Sequence, residues 1–209
     1  MRHVVAHLTL VSVLAASGCG DGSATAERPS PKAARSGRDL LLDLVSGIQT
    51  AQAAKDSRLI AGVAHGMVPT TADLKACTRE GPDAEAFRAA YTPKNLTPED
   101  PTVVGLGVSL FVRGDPKRTE VLVHAATTEE LAAYAKGTVA YAHFPGGMKR
   151  FAERIAAPHQ TWYVVKLVEP GQASGMTYTC FTEVNGRMIF VGKPWRLIAR
   201  EPAATEDDK

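Results

Sequence analysis

TWYVVKLVEPGQASGMTYTCFTEVNGRMIFVG, residues 161 to 192, decides the fold class. Val, Tyr, Thr and Phe dominate three short runs, and turn residues punctuate them, which is strand chemistry. Thr161 to Glu169 reads as one strand, and Glu169 to Gly171 turns the chain. The next two runs flank Asn185-Gly186, a pair that tolerates the two positive φ angles of a type I′ turn. That turn sets the register: Val184 faces Arg187, Phe181 faces Phe190 in an aromatic cross-strand pair, and Cys180 faces Val191. Lys193 to Ala199 is expected to close the sheet as a further strand.

Upstream of this block the period changes from two to 3.6. In Asp39 to Ala54, Leu41, Leu44, Val45, Ile48 and Ala51 form one apolar stripe, so a helix that packs on something is predicted. A second helix follows a cap at Asp56 or Ser57, carries Leu59, Ile60, Val63 and Ala64, and ends near Gly66. Thr70 with Asp73 is a capping-box spacing that opens a third helix carrying Leu74 and Cys77, and Asp83 to Tyr91 makes a further turn or two. Thr102 to Val112 alternates Val and Leu with Gly and Ser, which predicts a strand that curves at its glycines. Arg113 to Arg118 is turn chemistry, and Thr119 to Ala125 returns as a strand. Thr127 with Glu130 caps a short helix that Gly137 closes. Pro145, Gly146 and Gly147 lead into a helix from Met148 to Ala156. Backbone amides at that start are either an anion site or a plain helix beginning.

The expected architecture is therefore α+β: amino-terminal helices packed on a curved antiparallel sheet, closing with the type I′ hairpin at Asn185-Gly186. Residues 39 to 200 suit a single domain. The order of elements resembles the nuclear-transport-factor-two-like superfamily, a cone-shaped α+β fold. Asp39 to Val63 looks like its opening helices, and Trp162 to Val168 with Met176 to Val191 looks like its sheet. Enzymes of that fold use an Asp or His in the cavity for proton transfer. For this chain the resemblance implies His124 and Tyr163 as candidates.

The amino terminus, MRHVVAHLTLVSVLAASGC, has a basic start, an apolar run from Val4 to about Ala16, and then small residues. The run falls short of the about 20 apolar residues that a transmembrane helix needs, so residues 1 to 18 read as a cleaved signal peptide. Leu14 to Cys19, LAASGC, resembles the lipobox of bacterial lipoproteins, with Ala16 where Leu is more usual. The resemblance implies that Cys19 becomes the first mature residue, thioether-linked to diacylglycerol and often acylated, palmitate included, on its amino group. Gly20, and not Asp, follows it, which implies the outer membrane if the cell is Gram-negative. The alternative is an ordinary secreted chain whose Cys19 stays a thiol. Gly20 to Arg38 contains no Val, Ile, Leu, Met, Phe, Trp or Tyr and reads as a disordered tether with a reach of about 25 Å. Residues 201 to 209 read as a frayed acidic tail.

Charge limits the partners. The 24 Lys and Arg include Arg2, so the mature chain carries 23 against 22 acidic residues. That near-neutrality argues against nucleic acid and against a polybasic membrane clamp. With Cys19 assigned to lipid, Cys77 and Cys180 are left as a disulfide in an oxidising compartment or as two buried thiols. A bridge would close a loop of about 100 residues, for which chain entropy gives about 4 to 5 kcal/mol.

Chemistry is sparse. The mature histidines His65, His124, His143 and His159 show no ligand spacing, no cofactor motif is present, and no metal site is expected. His124, Trp162, Tyr163 and Tyr178 are the residues that could line a ligand site, against a core role for each. The expectation is a noncatalytic membrane-anchored envelope lipoprotein binding a small ligand or an envelope protein. The alternative is a small cone-fold enzyme using acid-base chemistry in a sheet cavity.

Overall fold

The computed structural model describes residues 35 to 91 and 117 to 198. The signal peptide, Cys19, nearly all of the tether, the predicted strand Thr102 to Val112 and the acidic tail lie outside the described residues. Within them the fold is α+β. Four helices come first, α1 (Gly37–Ala53), α2 (Ser57–Met67), α3 (Thr71–Cys77) and α4 (Pro82–Ala90). Strand β1 (Glu120–Thr127) precedes three short helices, α5 (Thr128–Ala133), α6 (Val139–His143) and α7 (Gly147–Arg154). Strands β2 (Thr161–Val168), β3 (Gly175–Val184) and β4 (Arg187–Phe190) follow, and a 3-10 turn spans Pro194–Leu197.

Capping sets the helix starts. Ser36 with Asp39, Thr70 with Asp73 and Thr127 with Glu130 each make both hydrogen bonds of a capping box, and Asp56 caps α2. The Ser36 cap starts α1 at Gly37, two residues before the expected Asp39. The described part of the expected strand Lys193 to Ala199, residues 193 to 198, adds no strand: Pro194 cannot donate to a ladder, Lys193 takes φ 47°, and the segment coils into the 3-10 turn.

The four strands pair antiparallel in sequence order. Val184 pairs with Arg187 and Phe181 with Phe190, whose rings sit 4.9 Å apart. Asn185 and Gly186 take φ of 52° and 76°, the sign that a type I′ turn needs at both positions. Between β2 and β3 the register slips by one residue. Tyr163 pairs with Phe181 and Val164 with Thr179, which leaves Cys180 unpaired at φ 77°. Such a bulge bends its strand, so curvature enters the sheet at its centre.

Both faces of the sheet are covered. On one, Leu41, Val45 and Ile48 of α1 and Ala64 and Met67 of α2 pack on Tyr163, Val165, Leu167, Tyr178, Phe181 and Met188. On the other, α3 to α7 and the 3-10 turn pack on Ala126, Trp162, Val164, Cys180, Val184 and Ile189. Nearly every residue of β2 is buried, which explains why WYVVKLV is apolar at consecutive positions. Each fully buried Leu, Ile or Phe contributes about 1.5 to 3 kcal/mol before chain entropy is charged against it.

Candidate functional site

The described residues bring one unusual group of polar side chains together, and it lies where β1, β2 and α6 meet. On β1, His124 pairs with Val164, and Leu122 pairs with Lys166. Alternate residues share a face, so His124 and Lys166 are diagonal neighbours on the face that α6 covers. Helix α6 is capped by Thr138, whose hydroxyl accepts from the Tyr141 amide, just after Gly137 at φ 88°. It ends at His143 because Pro145 forces Phe144 into extended backbone, φ −103° and ψ 145°. Buried Ala140 and Phe144, with the Tyr134 hydroxyl donating to the Phe144 carbonyl at 2.6 Å, press this single turn onto the sheet.

The result is a stack of two imidazoles. The rings of His124 and His143 lie 3.5 Å apart, centre to centre, and 6° from parallel. His124 Nε2 and His143 Nδ1 are both buried and have no hydrogen-bond partner. Burial holds the pKa of each histidine below its usual value; the Lys166 charge lowers both further, and His143 adds to the effect on His124. No carboxylate acts on either ring among the described residues. The pair is therefore neutral near pH 7, with each ring offering one N–H and one lone pair.

The other predicted site residues do not converge on this group. Trp162 is fully buried, meets Phe151 edge-on at 5.1 Å, and donates from Nε1 to Thr128 Oγ1 at 3.3 Å, so it is core. Tyr163 and Tyr178 lie on the opposite face of the sheet, under α1 and α2. The Tyr163 phenol, raised in pKa by burial and then by Glu183, sits against Gly37 at the start of α1. Tyr178 reaches the Met176 sulfur at 2.7 Å. His124 and Tyr163 therefore cannot share one cavity as an acid-base pair, because the sheet separates them.

Of the two alternatives for Cys77 and Cys180 the structure has the second: both are free, buried thiols. Each has its own neighbour, the Leu74 carbonyl 3.7 Å from Cys77 Sγ and the Met148 sulfur 3.4 Å from Cys180 Sγ. Burial pushes both thiols up to about 12, which leaves them protonated and unreactive at neutral pH. The glycine-led start of α7 also has a packing explanation. A Cβ on Gly147 would lie 2.5 Å from Trp195 Cγ, so the glycine makes room for the indole. The Met148 and Lys149 amides there donate to the Pro145 and Gly146 carbonyls.

Sequence reasoning found His124 and missed His143 and Lys166. Lys166 had a signal, a lone charge inside an otherwise apolar strand. His143 had only its place before Phe-Pro, which predicts a helix end and no partner. Among the described residues no group of three His, Cys, Asp or Glu side chains is placed to hold a metal ion, and no helix is long and apolar enough to cross a membrane. Compared with family models, curated proteins and solved structures, the chain matches none.

Proposed function

We propose that this chain is a noncatalytic, lipid-anchored lipoprotein of the bacterial cell envelope whose folded part binds a small ligand or a protein partner. The observation that carries the location is LAASGC at Leu14 to Cys19, behind a basic start and an apolar run of signal-peptide length. Two or three acyl chains on one residue hold a protein on a membrane essentially permanently, at about 0.8 kcal/mol per buried CH₂. The balance of charge favours lipid over a polybasic surface as the means of attachment.

A binding role fits the folded part better than catalysis does. The two proton-transfer candidates, His124 and Tyr163, lie on opposite faces of the sheet, and the two thiols are buried and protonated. Intact-mass analysis of the protein purified from its host tests the anchor. The expected product begins at Cys19 with diacylglycerol attached, and Cys19→Ser moves the protein from the membrane to the soluble fraction. An unmodified Cys19 thiol, or a retained leader, overturns the assignment. Native mass spectrometry of the same preparation tests the binding role: a retained small molecule or protein supports it, and a bare chain that turns over a substrate opposes it.

A further inference from the structure

The His124–His143 stack asks for an explanation that a ligand does not supply. Each ring has a buried nitrogen with nothing to bond, and a buried polar group left unpaired costs about 1 to 3 kcal/mol. A shared metal ion is a poor fit. Metal bonds to imidazole lie in the ring plane, and two nearly parallel rings 3.5 Å apart cannot both aim a lone pair at one ion. Lys166 nearby adds a positive charge that a second cation would have to overcome.

We propose that the stacked pair is a proton-triggered latch that holds α6 on the sheet when neutral and releases it when either ring is protonated. Three observations carry this. First, each stacked ring holds a buried nitrogen without a partner, and a proton on one turns that nitrogen into a cationic donor with no acceptor. Second, among the described residues no carboxylate acts on either ring. On the packed elements, Glu120 accepts from the Gly171 amide, Glu129 from the His159 amide and Glu130 from the Thr127 amide. On α1, across the sheet, Asp39 is held by Ser36 and Asp43 by Arg35. Lys166 of β2 faces both rings and opposes protonation, and the other polar side chains on or beside α6, Tyr134, Lys136 and Tyr141, are not carboxylates. Third, α6 is a single turn of five residues, far too short to persist by itself. Its order depends on what Ala140, His143 and Phe144 touch.

The sign follows from burial. The folded state holds both imidazoles below the usual histidine value, so the latch contributes fully above about pH 6.5 and loses its contribution as pH falls through the folded values. The latch goes beyond the binding role and stands whether or not Cys19 carries lipid.

Hydrogen exchange of the full-length chain, corrected for intrinsic rate and read by peptide mass spectrometry at pH 7.5 and 5.0, tests it. Protection over residues 139 to 143 is expected to fall about tenfold or more at pH 5.0, while residues 161 to 168 keep theirs. His124→Phe and His143→Phe keep a flat ring that cannot take a proton, and each should blunt the loss. Lys166→Met removes a charge that disfavours the protonated rings in the docked state, narrows the gap between docked and released imidazole, and should shrink the loss of protection at pH 5.0. Equal protection of 139 to 143 at the two pH values, or an unchanged response in the double Phe variant, overturns the latch. If the Phe variants fail to fold, Lys166→Met decides the matter alone: a smaller loss at pH 5.0 supports the latch and an unchanged loss overturns it.

Discussion

The two faces of the sheet are built differently. Under α1 and α2 the cover is two consecutive amphipathic helices, each with one continuous stripe, and the buried side chains are almost all apolar. Across the sheet the cover is assembled from α3 to α7 and a 3-10 turn, five short helices that each bury one to three residues. The assembled face also holds the polar exceptions: the imidazole stack, the two thiols, and Thr182, which donates to the Thr161 carbonyl at 2.7 Å. A long stripe can exclude polar groups along its whole length. A patchwork has seams, and side chains that titrate or bond to backbone collect in them.

Four substitutions probe that contrast, in falling order of effect. Trp162→Ala empties the centre of the assembled face and should cost about 3 to 5 kcal/mol in chemical denaturation. A loss under about 1 kcal/mol would mean that the patchwork collapses to fill the space and is looser than its burial indicates. Asp73→Ala comes next. This buried carboxylate accepts from the Thr70 amide at 2.7 Å, from the Thr70 hydroxyl at 2.6 Å and from Arg187. Arg187 also donates to the Gly66 and Val68 carbonyls, so the contact ties the α2–α3 connection to β4. Its removal should cost about 2 to 3 kcal/mol. Burial by itself would raise the Asp73 pKa, but hydrogen bonds from Thr70 and Arg187 outweigh burial and hold it low. Its contribution is therefore full above about pH 4 and fades as pH falls further; the wild type minus Asp73→Ala difference should shrink in acid.

Gly147→Ala pushes a methyl into the Trp195 ring and should cost about 1 to 3 kcal/mol. A neutral result would show that the 3-10 turn shifts freely, leaving the assembled face open at that end. Gly62→Ala is the counterpart on the striped side, exposed on α2 with nothing within 4 Å of the new carbon. It should raise stability by about 0.5 to 1 kcal/mol, read as a higher thermal midpoint.

The same contrast explains what was legible in the sequence. The stripe of Leu41, Val45 and Ile48 and the capping boxes at Thr70 and Thr127 announce their helices because the causes are local. Asn185-Gly186 announces its hairpin for the same reason. Helix α6 went unread, since one turn carries no periodicity. Lys193 to Ala199 was misread because its apolar residues outweighed the proline that bars it from a ladder. The pairing of His124 with His143 depends on which face of β1 meets which turn, and the disulfide depends on a separation between α3 and β3; neither is encoded in spacing. Trp162 and Tyr163 looked like one aromatic lining, whereas adjacent strand residues point to opposite sides.

Cys180 has a consequence for any altered version of this chain. Counting outward from Gly175, Met176 and Tyr178 share a side with Phe181 and Glu183 only because Cys180 absorbs one step of the alternation. Were Cys180 instead drawn into the ladder with strict alternation, the far half of the strand would turn over. Phe181 would then meet Trp162 and Phe151, and Thr182 would be driven into the apolar layer beneath α1. The odd residue is thus the phase correction that lets one strand serve two differently made interiors.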